Sequence, residues 1–148
     1  MGEAKVTSDF PEKISVNGRE EEFIGVDVGN PHAVYYVNTL EELKNLDLNL
    51  IGKYYEKHER FPQGVNSEFI YIENRENIHM RVWERGSGET LACGTGACAG
   101  AFATMKKGLC DKKVTVHLLG GDLDISLKDD EIYMRGKAEY VFRGEIDL

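Results

Sequence analysis

The sequence predicts an α/β (α+β) domain in which a mostly antiparallel, curled sheet or barrel wraps around one central helix. Strand patterns outnumber helical patterns along the 148 residues. One glycine- and alanine-rich helical segment, residues 94–107, has no polar face before Lys106. A helix that is apolar all round is normally enclosed on every side, so we expect the sheet to curl around this one.

Length and composition indicate one domain over residues 1–148. A chain of this size buries roughly two-thirds of its unfolded surface. The sequence is 41% hydrophobic and 30% charged, as in ordinary globular proteins. The net charge of −8 leaves no broad basic surface, so we expect no nucleic-acid partner. The longest uncharged stretch, residues 90–105, is shorter than the about 20 apolar residues that cross a bilayer, so we expect no membrane segment.

The first part of the chain reads as strand and turn. After a polar opening, residues 21–28 alternate as a half-buried strand does. The breaker cluster at 29–32 predicts a tight corner, and residues 33–37 resume β character.

Two surface helices are expected next. Thr39 and Glu42 form a capping box, which predicts a short helix. A second helical pattern follows Asp47 and continues until Phe61-Pro62 stops it.

The second half of the chain returns to strands on either side of the central helix. Residues 68–73 and 78–84 predict a hairpin, and Gly108 is expected to cap the end of the central helix. Four more short strands are predicted at residues 114–118, 123–127, 132–135 and 138–143.

Cys93 is the candidate for chemistry because it stands immediately before the central helix. The first turn of a helix has unpaired N–H groups and a positive dipole end, which favour a thiolate. We therefore expect the pKa of Cys93 to lie below the value of about 8.5 of a free cysteine, which would make it a usable base. Most cysteines are simply small buried residues, but the flanking Gly94 and Gly96 allow close approach of a ligand.

Cys98 and Cys110 are expected to be structural. No second pair of cysteines or histidines completes a four-ligand metal site with them, so we expect no zinc. The glycine-rich stretch lacks the Lys-Ser/Thr ending of a phosphate loop, so a carboxylate is the better candidate for the anion at this helix end. Three cysteines, an odd number, without an apolar signal segment before them favour the reducing cytoplasm.

The remaining candidates are ambiguous one by one. Glu84 and Arg85 could be a solvated strand end, and Asn30, His32 and Asn66 suit turns for local reasons. Together, however, the segments closely resemble, in order, the motifs of the C-terminal half of diaminopimelate epimerase. These motifs are Gly29-Asn30-Pro31-His32, Phe61-Pro62 with Gly64-Val65-Asn66, Trp83-Glu84-Arg85-Gly86 with Gly88-Glu89-Thr90, and Ala92-Cys93-Gly94-Thr95-Gly96-Ala97-Cys98-Ala99.

The resemblance implies a two-base epimerisation without pyridoxal phosphate or any other cofactor. One thiolate removes the α-proton of L,L-diaminopimelate from one face, and a second thiol delivers a proton to the other face to give the meso isomer, a precursor of lysine and of the cell wall. Cys93 matches one of the two thiols. The Gly94 and Thr95 amides would then hold the α-carboxylate and stabilise the charge that develops.

The resemblance also assigns the polar residues of the other motifs. Asn30, Asn66, Glu84 and Arg85 match positions that read the distal amino-acid group of the substrate, with Arg85 as the carboxylate partner. His32 and Glu84 match positions close to the acid/base groups and are counted with Cys93 as catalytic.

The resemblance further implies a second, N-terminal domain that carries the other catalytic cysteine in an Asn-Gly-rich loop, which this sequence lacks. The chain would then be a truncated product, a separately built fragment or one part of a split polypeptide, inactive alone. Residues 139–148 would belong to the N-terminal domain in the complete protein. A homodimer is a further possible assembly.

The sequence leaves three alternative functions open. A cysteine hydrolase could use Cys93 as nucleophile with His32 or His79 as base. A non-catalytic module could bind an amino acid in the same pocket. Within the family, a proline-like or other α-amino acid is the nearest rival substrate.

Overall fold

The computed structural model describes residues 2–148, so Met1 lies outside the described part of the chain. Three helices and one large sheet account for the regular structure of these residues. In chain order the elements are β1 (Gly2–Glu3), β2 (Lys5–Val6), β3 (Glu12–Val16), β4 (Arg19–Asp27), β5 (Pro31–Tyr36), α1 (Leu40–Asn45), α2 (Leu48–Glu56), β6 (Asn66–Asn74), β7 (Asn77–Glu84), β8 (Gly88–Thr90), α3 (Gly94–Lys106), β9 (Lys113–Leu118), β10 (Gly121–Lys128) and β11 (Glu131–Gly136).

The N-terminal segment joins the two ends of the sheet. The strand order is β1-β11-β10-β9-β7-β6-β5-β4-β2, with β3 paired to β4 and β8 paired to β7. β1 and β2 stand at opposite ends of this path although only Ala4 separates them, so the sheet has to curl until its ends meet. Only the β5–β6 and β7–β9 pairs are parallel. The predicted curled and mostly antiparallel sheet is confirmed.

Helix α3 runs through the middle of the curled sheet. It contacts β4, β5, β6, β7, β9, β10 and β11, and every residue from Gly96 to Thr104 is buried. The predicted central helix is thus confirmed, and Gly108, with φ of 72°, follows its end as expected.

Two glycines one turn apart let α3 approach β6 and β7. A Cβ on Gly100 would lie 2.7 Å from Ile70 Cδ1 and 3.1 Å from Met80 Sδ. A Cβ on Gly96 would lie 2.8 Å from Glu68 Oε1 and 3.2 Å from Cys93 Sγ. Real Cβ atoms do not pack this closely without a shift of their neighbours, so both positions require glycine for space and not for backbone freedom.

Helices α1 and α2 cover the outer face of the sheet. Around them an aromatic cluster forms a second core, in which Tyr35 stacks on Phe69 at 5.3 Å and meets Tyr55 edge-on at 5.0 Å. Gly52 of α2 lies directly over the Trp83 ring. None of the helices in residues 2–148 has the length and apolarity to cross a bilayer.

Arg81 attaches α1 to the β7–β8 hairpin. Its Nη1 donates to the carbonyl oxygens of Leu43 and Leu46 at 2.8 and 2.7 Å, at the end of α1. Its Nε and Nη2 donate to the two carboxylate oxygens of Glu89 at 2.7 and 2.9 Å. The two backbone bonds add a strong donor at the end of α1, where Leu43 O otherwise accepts only the Leu46 N–H at 3.4 Å.

The predicted helix starts are confirmed, but one predicted end is wrong. Thr39 Oγ1 accepts the Glu42 N–H at 3.0 Å, as a capping residue does. Helix α2 ends at Glu56 and not at Phe61-Pro62. The reason is tertiary: His58 Nε2 lies 2.7 Å from Ser15 O, and Arg60 Nε donates to Glu12 Oε2 at 2.6 Å, so this segment follows β3 instead of the helix axis.

The polar opening of the chain contains strands that we did not predict. β3 pairs with the first half of β4 across Asn17 and Gly18, whose φ angles of 49° and 80° are those of a two-residue hairpin turn. The Asn-Gly dipeptide was the available signal for this turn. The other predicted strands are confirmed by β4, β5, β6, β7, β9, β10 and β11, apart from one.

The strand predicted at residues 138–143 is wrong. Residues 137–148 have no regular secondary structure, and Tyr140 and Phe142 are 83% and 80% exposed. β10 pairs along the whole of one edge of β11, and β1 pairs with Glu131 and Ile132 on the other, but residues 137–148 form no strand pair with either edge.

We predict that Gly100→Ala destabilises the domain by about 1–3 kcal/mol, the usual cost of overpacking a core, although alanine favours a helix by about 1 kcal/mol. The free energy of unfolding from urea titrations measures this. Ile70→Val removes the Cδ1 atom that the new methyl group would meet. The double variant should therefore be more stable than Gly100→Ala alone. Simple additivity of the two losses would contradict the close approach of α3 to β6.

Candidate active site

The predicted site residues converge at the N-terminal end of α3. His32 near the start of β5 pairs in register with Asn66 at the start of β6, because these two strands are parallel. Glu84 ends β7, which is the other neighbour of β6. Cys93 caps the helix that these strand ends surround. The sheet topology thus brings together residues that are more than sixty positions apart in sequence.

Strand periodicity explains why these polar side chains face the helix. Alternate residues of a strand point to the same face of the sheet. Val34 on β5, Ile70 on β6 and Val82 on β7 belong to the core around α3. His32, Glu68 and Glu84 are each two residues from one of them and share that inner face.

Cys93 is the N-cap of α3. Its φ and ψ of −141° and 109° are extended, and its Sγ accepts the Gly96 N–H at 3.3 Å. Thr95 Oγ1 lies 3.5 Å from the same sulfur. Within residues 2–148 the Gly94 and Thr95 N–H groups donate to no acceptor. The helix end therefore presents two open donors beside a thiol, as an anion site does.

The expectation of a low thiol pKa is wrong for this chain. Burial raises the pKa of Cys93 above its ordinary value, and the negative charge of Glu84 raises it further. The Thr95 and Gly96 hydrogen bonds lower the pKa but do not offset the burial. The sequence showed the helix end, whereas the acidic side chains behind it come from strands distant in sequence.

The other two cysteines are buried, as expected of structural residues. Burial raises the pKa of Cys98 and of Cys110 to about 11. No group of three or more His, Cys, Asp or Glu side chains in residues 2–148 is placed to hold a metal ion.

His32 lies at the centre of a buried polar chain. Its Nδ1 is 2.6 Å from Glu68 Oε1, and its Nε2 is 3.0 Å from Asn30 Oδ1. Asn30 Nδ2 donates to Thr95 Oγ1 at 3.3 Å, which connects the chain to the helix end. Burial lowers the pKa of His32 to about 4, so the ring is neutral at pH 7.

Glu68 is the site residue that sequence reasoning missed. Its side chain is completely buried, and among the described residues no group donates to its Oε2. Burial, with Glu84 as a further cause, raises the pKa of Glu68 well above its ordinary value. The available signal was position: Glu68 follows Asn66 by two residues on one strand and therefore shares its face.

Asn66 holds two strand ends together. Its Nδ2 donates to Pro31 O at 3.1 Å, and its Oδ1 accepts the Arg85 N–H at 2.8 Å. Both ends of the side-chain amide are thus used by the backbone. Asn66 fixes the start of β5 against the end of β7.

Glu84 and Arg85 diverge at the end of β7. Glu84 Oε2 accepts a short hydrogen bond from Thr90 Oγ1 on β8, which holds the carboxylate near Cys93. The exposed Arg85 guanidinium donates to Gln63 O at 3.3 Å and to no carboxylate of the described residues. Its aliphatic stem lies against Gly64, where a Cβ would be 2.9 Å from Arg85 Cδ.

Helix α2 fixes the turn that carries Arg85. Glu56 Oε1 accepts the Trp83 Nε1–H at 2.8 Å, and Glu56 Oε2 accepts the Gly86 N–H at 3.2 Å. One carboxylate thereby bonds on both sides of Arg85. The guanidinium is presented from a fixed turn and not from a free loop.

Comparison with known proteins identifies close relatives along most of the chain. Residues 24–141 match the family model described as diaminopimelate epimerase. The diaminopimelate epimerase of Desulfitobacterium hafniense is 49% identical over 89% of this chain and 46% of its own length. That of Methanococcus maripaludis is 52% identical over 85% of this chain and 45% of its own length. That of Bacillus licheniformis is 49% identical over 98% of this chain and 55% of its own length. The chain therefore spans about half the length of these relatives.

Solved structures share the fold at low identity. A probable proline racemase from Agrobacterium radiobacter superposes with a TM-score of 0.63 at 13% identity, over 89% of this chain and 46% of that one. A hydroxyproline epimerase from Agrobacterium vitis gives 0.59 at 16% identity, over 85% and 43%. Fold and sequence agree, and this chain belongs to the diaminopimelate epimerase family.

Proposed function

We propose that the complete protein interconverts L,L- and meso-diaminopimelate without pyridoxal phosphate, and that Cys93 is one of its two acid/base thiols. The observation that supports this most directly is the thiol beside the two open N–H groups of Gly94 and Thr95. An α-amino acid brings to such a site both the proton to be removed and the carboxylate to be held. Relatives of about 50% identity named diaminopimelate epimerase support the choice of substrate.

In the proposed reaction the Cys93 thiolate takes the α-proton. The Cα–H bond breaks, an S–H bond forms, and the electron pair is delocalised into the α-carboxylate. The Gly94 and Thr95 N–H groups stabilise that charge where it develops. A thiol on the opposite face then donates its proton to Cα and inverts the centre. One thiol cannot reach both faces, so the second belongs to the part of the protein outside this chain.

We propose that the remaining site residues bind the distal end of the substrate. Arg85 has an open guanidinium that suits the distal carboxylate, and Glu84 suits the distal ammonium group. Asn30 and Asn66 complete this binding region in our proposal, with Asn66 acting through the strand ends that it holds together. A substrate without the distal group would lose the proposed contacts with Arg85 and Glu84 and therefore bind less tightly.

We further propose that residues 139–148 pack on the second domain. Their apolar side chains, Tyr140, Val141, Phe142, Ile146 and Leu148, are all at least 80% exposed in this chain, and burial of such surface against a partner is favourable. Three free thiols also suit a cytoplasmic location. The homodimer stays a prediction.

The geometry of the site supports the three alternative functions less well than it supports the proposed one. A cysteine hydrolase requires a base bonded to the thiol, but His32 Nε2 contacts Asn30, and the nearest partners of Cys93 Sγ are Thr95 and Gly96. His79 contacts Glu73 and stacks on His117 at 4.7 Å, five positions before Glu84 along β7. A pure binding module can be distinguished from an epimerase by experiment, because it would bind the amino acid without exchanging its α-hydrogen. A proline-like substrate would leave Arg85 without a distal carboxylate.

We predict that Cys93→Ser in the complete protein lowers exchange of the α-hydrogen of diaminopimelate with solvent deuterium by roughly 10²–10⁴-fold, the usual contribution of a general acid/base. Mass spectrometry of the amino acid measures this exchange. Cys110→Ala, which removes a buried thiol away from the helix start, is the matched control and should keep most of the activity. Full exchange by the serine variant would contradict the assignment.

We predict that this 148-residue chain alone does not epimerise diaminopimelate, because it contributes one thiol to a two-thiol reaction. Chiral chromatography of the product measures turnover. Addition of the N-terminal half of a relative as a separate polypeptide is the positive control. Turnover by the chain alone would mean that it supplies the second acid/base itself.

We predict that Glu84→Gln lowers the pKa of Cys93, because it removes a negative charge that raises it. The rate of Cys93 modification by methyl methanethiolsulfonate, followed by peptide mass mapping, should rise several-fold at pH 7.5 and approach its plateau at lower pH. Glu73→Gln, on an exposed strand end, is the control and should leave the profile unchanged. An unchanged profile in Glu84→Gln would show that Glu84 does not act on the thiol.

A further inference from the structure

Glu68 is a fully buried acid for which the proposed reaction has no use. We propose that Glu68 is a positioning residue: it keeps its proton, donates it in a hydrogen bond to His32 Nδ1, and thereby fixes the direction of a hydrogen-bond chain that ends on Cys93 Sγ. This inference rests on the proposed role of Cys93. The tests of this inference measure protonation and not turnover. Failure of the inference can therefore be distinguished from failure of the proposed function.

The chain consists of four contacts in series. Glu68 Oε1 is 2.6 Å from His32 Nδ1, and His32 Nε2 is 3.0 Å from Asn30 Oδ1. Asn30 Nδ2 is 3.3 Å from Thr95 Oγ1, which is 3.5 Å from Cys93 Sγ. Residues from β5, β6 and the start of α3 are thus connected without a break.

The orientation of Asn30 fixes the direction of every contact. Its Oδ1 faces His32 and can only accept, so Nε2 carries the ring proton. A neutral imidazole then has an acceptor at Nδ1, and Glu68 has to supply the proton of that 2.6 Å contact. At the other end Asn30 Nδ2 donates to Thr95, whose hydroxyl proton is left free for the sulfur. Each group in the chain therefore donates towards Cys93.

An ionised Glu68 would reverse the chain. His32 would place its proton on Nδ1, and Nε2 would become an acceptor. The Asn30 amide would turn its NH₂ group to the ring and its oxygen to Thr95. The Thr95 hydroxyl would then donate to Asn30 and not to the sulfur. The proton on Glu68 thus determines whether a thiolate at Cys93 keeps the second of its two donors.

The surroundings favour the protonated form. A carboxylate spreads its charge over both oxygens, yet no described group donates to the buried Oε2. Glu84 from β7 adds a further negative charge, and burial raises the pKa of Glu68 while it lowers that of His32. The titratable groups around the pair are Asp27 on β4, Tyr35 on β5, Glu84 and Arg85 on β7 and its end, and Cys93 at α3.

The first test is the tautomer of His32 in the unmodified chain. The ¹⁵N shifts of the ring at pH 7 are expected to show a protonated Nε2 and an unprotonated Nδ1. A protonated Nδ1, with or without a proton on Nε2, would overturn the proposal, because Glu68 would then be an acceptor. This measurement needs no variant, so it does not depend on whether a substitution folds.

The second test compares two replacements of Glu68. Glu68→Gln keeps an N–H donor for His32 Nδ1 and, like a protonated Glu68, carries no charge. It is therefore expected to leave the methyl methanethiolsulfonate rate of Cys93 within about twofold of the parent at every pH. Glu68→Leu removes the donor and is expected to slow the reaction several-fold at pH 8 and to mix the His32 tautomers. A rate that rises tenfold in Glu68→Gln would overturn the proposal, because it would reveal a carboxylate charge beside the thiol.

The third test detects the proton on Glu68 through the pH dependence of the unfolding constant. If Glu68 keeps its proton at pH 7 in the folded chain and loses it on unfolding, the ratio of the unfolding constants of the parent and Glu68→Gln rises about tenfold per pH unit from about pH 5, above the ordinary glutamate pKa, to about pH 7. The matched control is Glu20→Gln, from the exposed pair in which Lys13 Nζ lies 3.8 Å from Glu20 Oε1. That ratio is expected to stay constant over the same range. A constant ratio for Glu68→Gln would overturn the proposal.

Discussion

The enclosure of α3 by the curled sheet is the constraint on which the other features depend. A helix packed on all sides can offer only its ends to a ligand. The far end is closed by Gly108, whose N–H donates to Met105 O at 2.9 Å, whereas the near end keeps the Gly94 and Thr95 donors open. Enclosure requires small residues, and Gly96 and Gly100 provide the space in which β6 and β7 approach. The same glycines bring the Glu68 carboxyl to the cysteine, so packing and chemistry cannot be altered independently at this end.

Burial and helix position oppose each other at Cys93, and burial dominates. A helix N-terminus stabilises a nearby negative charge by about 0.3–1 kcal/mol, or up to about 2 kcal/mol when partly buried. Removing a charge from water costs more than this unless a partner compensates. The raised pKa of Cys93 therefore describes the site without a ligand. In the proposed function, the ammonium group of a bound α-amino acid would lower the cost of the thiolate.

The sequence was informative where a local pattern determines the structure. The all-apolar segment before Lys106 predicted an enclosed helix, and Thr39 with Glu42 predicted a helix start, because both depend on neighbouring residues alone. The strand predicted at 138–143 failed because a strand needs a partner as well as a local pattern, and no strand of the described residues pairs with this segment. Glu68 was missed because a glutamate at the start of a strand is usually solvated. Its burial comes from α3, which follows almost thirty positions later.

The polar groups of the site divide into those that the fold satisfies and those that it leaves open. Asn66 uses both ends of its amide on the backbone, and His32 and Asn30 bond to each other and to their neighbours. Apart from the buried Glu68 Oε2, which no described group contacts as a donor, the open groups are the Gly94 and Thr95 N–H groups and the Arg85 guanidinium, and all three donate to anions. Buried or fixed donors without acceptors are costly unless water or a ligand occupies them. A ligand with two carboxylates meets both demands at once, whereas a simple monocarboxylate would leave Arg85 unpaired. The division thus supports the dicarboxylic amino acid of the proposed function, because the satisfied groups hold the open donors in place.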